Sequence, residues 1–263
     1  MNTILSTLFV MGGLGVLFGL LLSYAGVKFK TEVDPKLESL KKVLPGVNCG
    51  GCGRAGCGAF ADDLFHGNAE VTDCPVVTPE VNQTLSDIMG VEAVETKRMV
   101  AFVKCIGTEC KYLYKYQGVE GCRSSARLAN GGSKACTAGC IGNKSCMPAC
   151  KFGAMRLENG ITVIDSEKCT GCKMCIDFCP KKLIEMVPYD KIIRIGCNTH
   201  DGAKSTRENC TIGCIGCKIC MKKCENGAIT MDGTLAKIDY KKCNNCGACI
   251  DACPRKCISN GVI

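Results

Sequence analysis

Residues 210–224 read CTIGCIGCKICMKKC, and residues 136–150 read CTAGCIGNKSCMPAC, the same pattern displaced by 74 positions. The displacement recurs downstream, where KCTGCKMCIDFCP at 168–180 aligns with KCNNCGACIDACP at 242–254. Between Cys150 and Cys169 lie 18 residues, as between Cys224 and Cys243. Agreement in motif and spacer length marks a duplication. Each copy contains two runs related to C-x2-C-x2-C-x3-C, in which three thiolates ligate one cubane and the fourth ligates its neighbour. The spacing predicts two tandem two-cluster ferredoxin-like modules, each a pair of βαβ-like halves about a pseudo-twofold axis.

In the second copy every ligand position is filled. One cluster is expected on Cys214, Cys217, Cys220 and Cys253, and its partner on Cys243, Cys246, Cys249 and Cys224. The first copy departs, because Asn143 stands where Cys217 stands in the second. Cys136, four residues before Cys140, fills the gap in the expected set Cys136, Cys140, Cys146 and Cys179. The neighbouring set is Cys169, Cys172, Cys175 and Cys150. The alternative is a labile three-cysteine cluster with an open iron site.

Upstream, residues 46–61 read GVNCGGCGRAGCGAFA, and Cys74 follows with Pro75. Cys49, Cys52, Cys57 and Cys74 can converge on one cubane, with glycines letting the loop wrap it and aim N–H groups at sulfur. The rival is a four-cysteine zinc site, whose ligands more often come as two C-x2-C knuckles. Gly51 to Gly56 also match G-x-G-x-x-G, but Pro45 lies just before and cysteines thread the loop, so a dinucleotide site is rejected.

At the N-terminus residues 3–27 carry no charge. At about 1.5 Å per residue they span the roughly 30 Å hydrocarbon core of a bilayer. Their glycines suit a membrane helix better than a soluble one. Lys28 and Lys30 follow, then Lys36, Lys41 and Lys42, which places the rest of the chain on the cytoplasmic side. A cleaved signal peptide is the weaker reading, since no basic segment precedes this long apolar stretch.

Composition agrees. The chain has 26 Cys in 263 residues, 5% aromatics, no Trp and two His. Tight, repeating spacing and cytoplasmic placement argue against a disulfide scaffold. Few bulky side chains argue for small domains organised around metal clusters. The formal charge of +8 counts thiols as neutral. Five clusters, each carrying roughly two negative charges with its thiolates, would cancel it; the lysines are then counter-ions, a face for an acidic partner, or both.

The expected fold is α+β: a transmembrane helix, a small 4Fe–4S loop domain and the two modules. The expected divisions are an anchor at 1–27, the loop domain at 28–77, a connector with a helix and a short strand at 78–135, the first module at 136–187, a linking segment at 188–209 and the second module at 210–263. Twenty cysteines thus serve five clusters. Of the remaining six, Cys105, Cys122, Cys197 and Cys210 could meet around a sixth; the bland alternative is buried free thiols or a redox-active pair. Cys110 and Cys257 have no expected role, and His66 and His200 are expected on loop surfaces.

One apolar helix, the GVNCGGCGRAGCGAFA loop with its later Cys-Pro, and ferredoxin motifs, in that order, resemble the B subunit of the Rnf complex, the ion-translocating ferredoxin:NAD oxidoreductase. The loop is also similar to one in corrinoid iron–sulfur proteins, which lack this anchor. The resemblance covers nearly the whole chain. It departs from simple family members in the doubled module and at Asn143. It implies electron exchange with soluble ferredoxin or an NAD-linked subunit, and with flavin-bearing membrane subunits of a complex that moves Na+ or H+. The residues themselves support only the relay: no nicotinamide, flavin, nucleic-acid or ion-pathway motif is present. A standalone membrane polyferredoxin and a reductase with an open-iron cluster are the rival readings.

Overall fold

The structure is a computed structural model that describes residues 2–29, 34–94 and 97–261, with side chains from residue 6. Lys30 lies outside the described residues. The chain divides into two units, residues 1–39 and 40–263. The first is dominated by the helix Asn2–Lys28. Its stretch Ser6–Lys28 is apolar on every side and none of it is buried within the chain. A helix that is hydrophobic all round needs an apolar surrounding, and this one is long enough to cross a membrane.

Among the described residues of the second unit, the strands pair antiparallel in two-stranded sheets. These strands are β1 (Met99–Val103), β2 (Met155–Glu158), β3 (Ile161–Ile164), β4 (Ile184–Pro188), β5 (Arg194–Ile195), β6 (Ile229–Asp232), β7 (Leu235–Ile238) and β8 (Ile258–Ser259). β2 and β3 form a hairpin, as do β6 and β7, their equivalents 74 positions on. The first hairpin turns on Asn159–Gly160, with φ of 46° and 75°, the conformation that lets a two-residue turn follow strand twist. Outside each hairpin lies a second pair, β1 with β4 and β5 with β8. In chain order each module reads strand, short helix, strand, twice over, as the expected βαβ-like halves do, but with every pairing antiparallel. The helices following the ligand loops, such as Met174–Asp177 and Ile219–Lys223, have four or five residues. A parallel crossover needs a dozen or more.

Register reveals more of the duplication. Val103 faces Ile184 and Ile195 faces Ile258, so β1 and β5 are equivalent, at 92 positions apart rather than 74. The connector and linking segments thus each supply an edge strand to a module. The surplus of 18 residues is an insertion between Cys105 and Cys136, and it carries Cys110 and Cys122.

Each module has its own core. Val100, Phe102, Ile161, Leu183 and Val187 pack with Cys140, Cys146, Cys169 and Cys175 in the first. Ile193, Ile195, Ile229, Leu235 and Ile258 pack with Cys214, Cys220 and Cys249 in the second. The thiols lie inside these small cores rather than on their surface. Ahead of them runs the expected connector helix, Pro79–Met89, with Thr78 capping its start and Gly90 in the left-handed conformation at its end, as proline-initiated helices commonly are.

Candidate metal centres

In the N-terminal loop, Asn48 turns back at φ 50° and its Oδ1 accepts the N–H of Cys57 at 2.7 Å, capping the helix Cys57–Phe65. Arg54 braces the loop. It pairs with Asp63 at 2.9 Å and Asp73 at 3.3 Å, and donates to the carbonyls of Cys52 and Asn68. That fork ties the Cys49–Cys57 turn to the segment bearing Cys74, whose thiol sits beside those of Cys52 and Cys49. Burial pushes Cys74 up, while N–H groups of Val76 and Val77 favour its thiolate. Among the described residues no strand precedes the loop, as the rejected nucleotide reading would need.

The loop leans on the first module. A Cβ at Gly51 would lie 2.7 Å from the carbonyl oxygen of Cys172, so only glycine allows this approach. Lys151 Nζ donates to the carbonyl of Asn48 at 2.7 Å, and the thiols of Cys49 and Cys172 sense one another. Cys172 is also close to Cys169 and Cys150. Cys175, pushed up to about 12 by burial, lies beside Cys169 and Cys172. The N–H of Ala101 on β1 donates to Cys169 Sγ at 3.3 Å.

The other group of the first module differs from expectation. One cavity is lined by Cys122, Cys140, Cys146 and Cys179, among Val103, Ile141, Phe178, Leu183 and Ile184. Cys146, pushed up to about 11 by burial, feels Cys140, Cys122 and Cys179. Cys136 is absent from this group and instead lies against Cys110 and near Cys105. The structure does not bring Cys136 to this cavity with Cys140, Cys146 and Cys179; the inserted segment brings Cys122 there. Asn143 takes part. Its Nδ2 donates to Ser125 Oγ at 2.9 Å, and Ser145 Oγ accepts the N–H of Cys122 at 2.6 Å. Both bonds clamp the short helix Cys122–Ser125 over the cavity. The amide that replaced a thiol helps to dock the segment carrying another.

In the second module, Cys214, Cys217, Cys220 and Cys253 line one cavity, and Cys257 joins them. Cys257 Sγ lies 3.6 Å from Cys253 Sγ and also bonds Cys214. The shared proton rests on buried Cys257, which leaves Cys214 lowered to about 6 and Cys253 to about 5. Cys249 lies beside Cys243, Cys246 and Cys220, and Ala228 N–H donates to Cys224 Sγ at 3.3 Å.

Backbone donors repeat with the fold. Cys140 accepts N–H groups from Thr162 and Gly142, and Cys214 accepts them from the equivalent Ala236 and Gly216. Leu183 N–H donates to Cys179 Sγ at 3.3 Å, and Cys257 N–H does so to Cys253. Such donors stabilise negative charge on sulfur. Among the described residues, no three His, Cys, Asp or Glu side chains converge tightly enough for a single ion. Thiol-only groups ringed by backbone N–H donors suit a 4Fe–4S cluster. His66 and His200 are exposed, the former bonded to the Asp62 carbonyl.

Comparison with known proteins agrees. Residues 44–76 match an Fe-S cluster family, residues 162–185 a 4Fe-4S binding domain and residues 213–257 a 4Fe-4S dicluster domain. The dicluster match falls on the complete copy; in the copy bearing Asn143 the match is a single domain. The B subunit of the ion-translocating oxidoreductase complex of Methanosarcina acetivorans is 38% identical over 98% of each chain. The chain belongs to this B-subunit family. The family also includes the B subunit of the Na(+)-translocating ferredoxin:NAD(+) oxidoreductase complex of Acetobacterium woodii, 40% identical over all of this chain and 79% of that protein. The B subunit of the proton-translocating ferredoxin:NAD(+) oxidoreductase complex of Clostridium ljungdahlii is 36% identical over 97% and 91%. The B subunit thus carries 4Fe–4S cofactors and belongs with the other subunits of a membrane redox complex, consistent with its apolar N-terminal helix. One exchange, Cys122 for Cys136, escapes the motif spacing. Its signal was the 18-residue excess between Cys105 and Cys136, visible only once β1 is aligned with β5.

Proposed function

We propose that this subunit relays electrons between soluble ferredoxin or an NAD-linked subunit and flavin-bearing membrane subunits, in a complex that moves Na+ or H+. Its clusters lie on the cytoplasmic side. Five sites support the reading: Cys49, Cys52, Cys57 and Cys74; Cys150, Cys169, Cys172 and Cys175; Cys122, Cys140, Cys146 and Cys179; Cys214, Cys217, Cys220 and Cys253; and Cys224, Cys243, Cys246 and Cys249. Clusters bound there supply one-electron oxidation and reduction without gain or loss of atoms. The chain's own residues hold thiolates, aim N–H groups at them and exclude water.

The observation that carries the reading is contact between sites. The N-terminal loop touches the first module through Gly51 and Cys172. Exposure favours one direction. Cys217 and Cys246 are exposed, whereas Asn143 and Cys172, their equivalents, lie under the insertion and the N-terminal loop. Exposed Lys218, Lys222, Lys223, Lys241 and Lys242 lie near the two open thiols in sequence. This end suits an acidic electron donor, whose approach positive charge accelerates. The N-terminal loop, which follows the apolar helix along the chain, is then the exit toward the membrane subunits.

The test is rapid mixing and freeze-quenching of the detergent-solubilised full chain, its iron enriched in 57Fe, with reduced unlabelled two-cluster ferredoxin, following reduction of the chain's own clusters by Mössbauer spectroscopy. Fast, salt-sensitive reduction is expected, slowed at low salt by Lys222→Glu with Lys223→Glu. Reduction indifferent to both changes would move the entry point elsewhere. Gentle extraction bringing down no other subunit would favour a standalone polyferredoxin, and turnover of a small substrate without redox partners would favour a reductase.

A further inference from the structure

The five sites leave a gap between the modules, and four unassigned thiols fill it. Cys105 follows β1 and Cys197 follows β5, at equivalent places; Cys136 and Cys210 are equivalent by the repeat. All four line a single cavity, with Gly107, Gly139 and Gly213. Gly107 lies against Cys210 Sγ and Cys105 Sγ, where a Cβ would come within 3.0 and 3.9 Å of them. Gly139 lies against Cys136 Sγ and Cys105 Sγ, at 3.3 and 3.6 Å by the same measure. Backbone donors again obey the symmetry. Cys105 accepts from Gly107 and Cys140, and Cys197 from the equivalent Thr199 and Cys214.

We infer that Cys105, Cys136, Cys197 and Cys210 hold a sixth 4Fe–4S cluster between the two modules. The set replaces the sequence-based grouping with Cys122, which is occupied in the first module. Four thiols of one kind, two from each module, face one space from opposite sides. Binding a cubane would release their four protons, and iron and sulfide come from outside the chain. Lys104 lines the cavity, Arg255 donates to the Cys210 carbonyl at 2.7 Å, and buried Lys134 is close enough to Cys105 to favour its thiolate. These cations offset the negative charge of a ligated cluster.

Position gives the site its use. The N–H of Cys140, a ligand in the first module, donates to Cys105. The N–H of Cys214, a ligand in the second, donates to Cys197 Sγ at 3.3 Å. A cluster here is therefore one hydrogen bond from a ligand on either side, and it joins the two halves of the relay. Cys110 bonds Cys136 but does not line the cavity, so it supports a ligand without being one.

The inference rests on the cluster-relay reading, and iron counting separates their failures. The full chain in detergent is reconstituted anaerobically with ferrous iron and sulfide, and iron, sulfide and zinc are measured per chain. The expectation is about 24 iron in the natural chain, about 20 in Cys197→Ala and again in the double Cys105→Ala/Cys197→Ala, and about 24 in Cys110→Ala. About 20 iron in the natural chain, unchanged by Cys197→Ala, would overturn the sixth site and leave the relay standing. Loss on Cys110→Ala, a fall to about 16 in the double, or one zinc per chain would overturn the ligand set. Absence of iron altogether would instead defeat the relay reading. Because the natural chain is itself informative, a variant that fails to fold does not rescue the inference.

Discussion

The two modules share a backbone plan but differ in what covers them. In the second, the complete ligand runs stand open, with Cys217 and Cys246 exposed. In the first, the same two positions are overlaid: Asn143 by the inserted segment, and Cys172 by the N-terminal loop. Duplication yields two similar units, and later chain additions make one internal and leave the other terminal. Electron transfer weakens steeply with separation, so an internal unit passes electrons only to its covering neighbours, whereas an open unit meets partners from solution.

The comparison breaks most visibly at the exchanged cysteine. Cys122→Ala should remove about four iron per chain, and adding Cys140→Ala should remove no more, because both serve one cluster. Adding Cys136→Ala to Cys122→Ala should instead remove about eight. Iron analysis of the double variants distinguishes shared from separate sites without a structure. If Cys136→Ala with Cys140→Ala costs only four, Cys136 belongs where spacing alone would put it.

A smaller effect follows from making the modules alike again. Asn143→Cys restores the ligand pattern of the second copy, so Cys122→Ala with Asn143→Cys should recover the iron that Cys122→Ala loses. The expected cost is in folding. The substitution removes the Nδ2 bond to Ser125, whose hydroxyl is fully buried and retains its bonds to the Gly121 and Cys122 carbonyls. A net loss of about 1 kcal/mol is expected, read by denaturant midpoint of the reconstituted chain. No recovery of iron would mean that the insertion has shifted the loop beyond a thiol's reach.

Much of this was legible in the sequence, for reasons that particular residues make clear. The repeated runs around Cys214 and Cys243 announce their chemistry because thiolate spacing within a loop is set by the cubane, not by the rest of the fold. The glycine-rich loop at Cys49 is legible for the same reason. Cys122 was not, since it reaches its cavity through a hydrogen-bonded helix of four residues clamped by Asn143 and Ser145. Nothing in local spacing records that clamp. Likewise, the equivalence of Cys105 and Cys197 depends on strand register, which two short apolar runs cannot specify alone. The βαβ-like order was legible, whereas the antiparallel pairing was not: helices of four residues leave no room for a parallel crossover.

The finest difference between the modules is one side chain. Cys257 stands beside Cys214 and Cys253 in the second module, where the first has Leu183. A thiol that donates to a ligand sulfur stabilises negative charge there. Reduction adds negative charge, so the donor favours the reduced form and raises the potential. Removing it by Cys257→Ala should therefore lower the potential of the cluster on Cys214, and Leu183→Cys should raise that of the cluster on Cys140. A hydrogen bond worth about 1 kcal/mol corresponds to roughly 40 mV for one electron. Redox titration followed by electron paramagnetic resonance would read both shifts on otherwise unchanged iron counts. Opposite signs for the two variants are required: a shift of the same sign in both would point to altered packing or solvent access rather than the thiol's proton, and Cys257 would then be only a smaller core residue than Leu183.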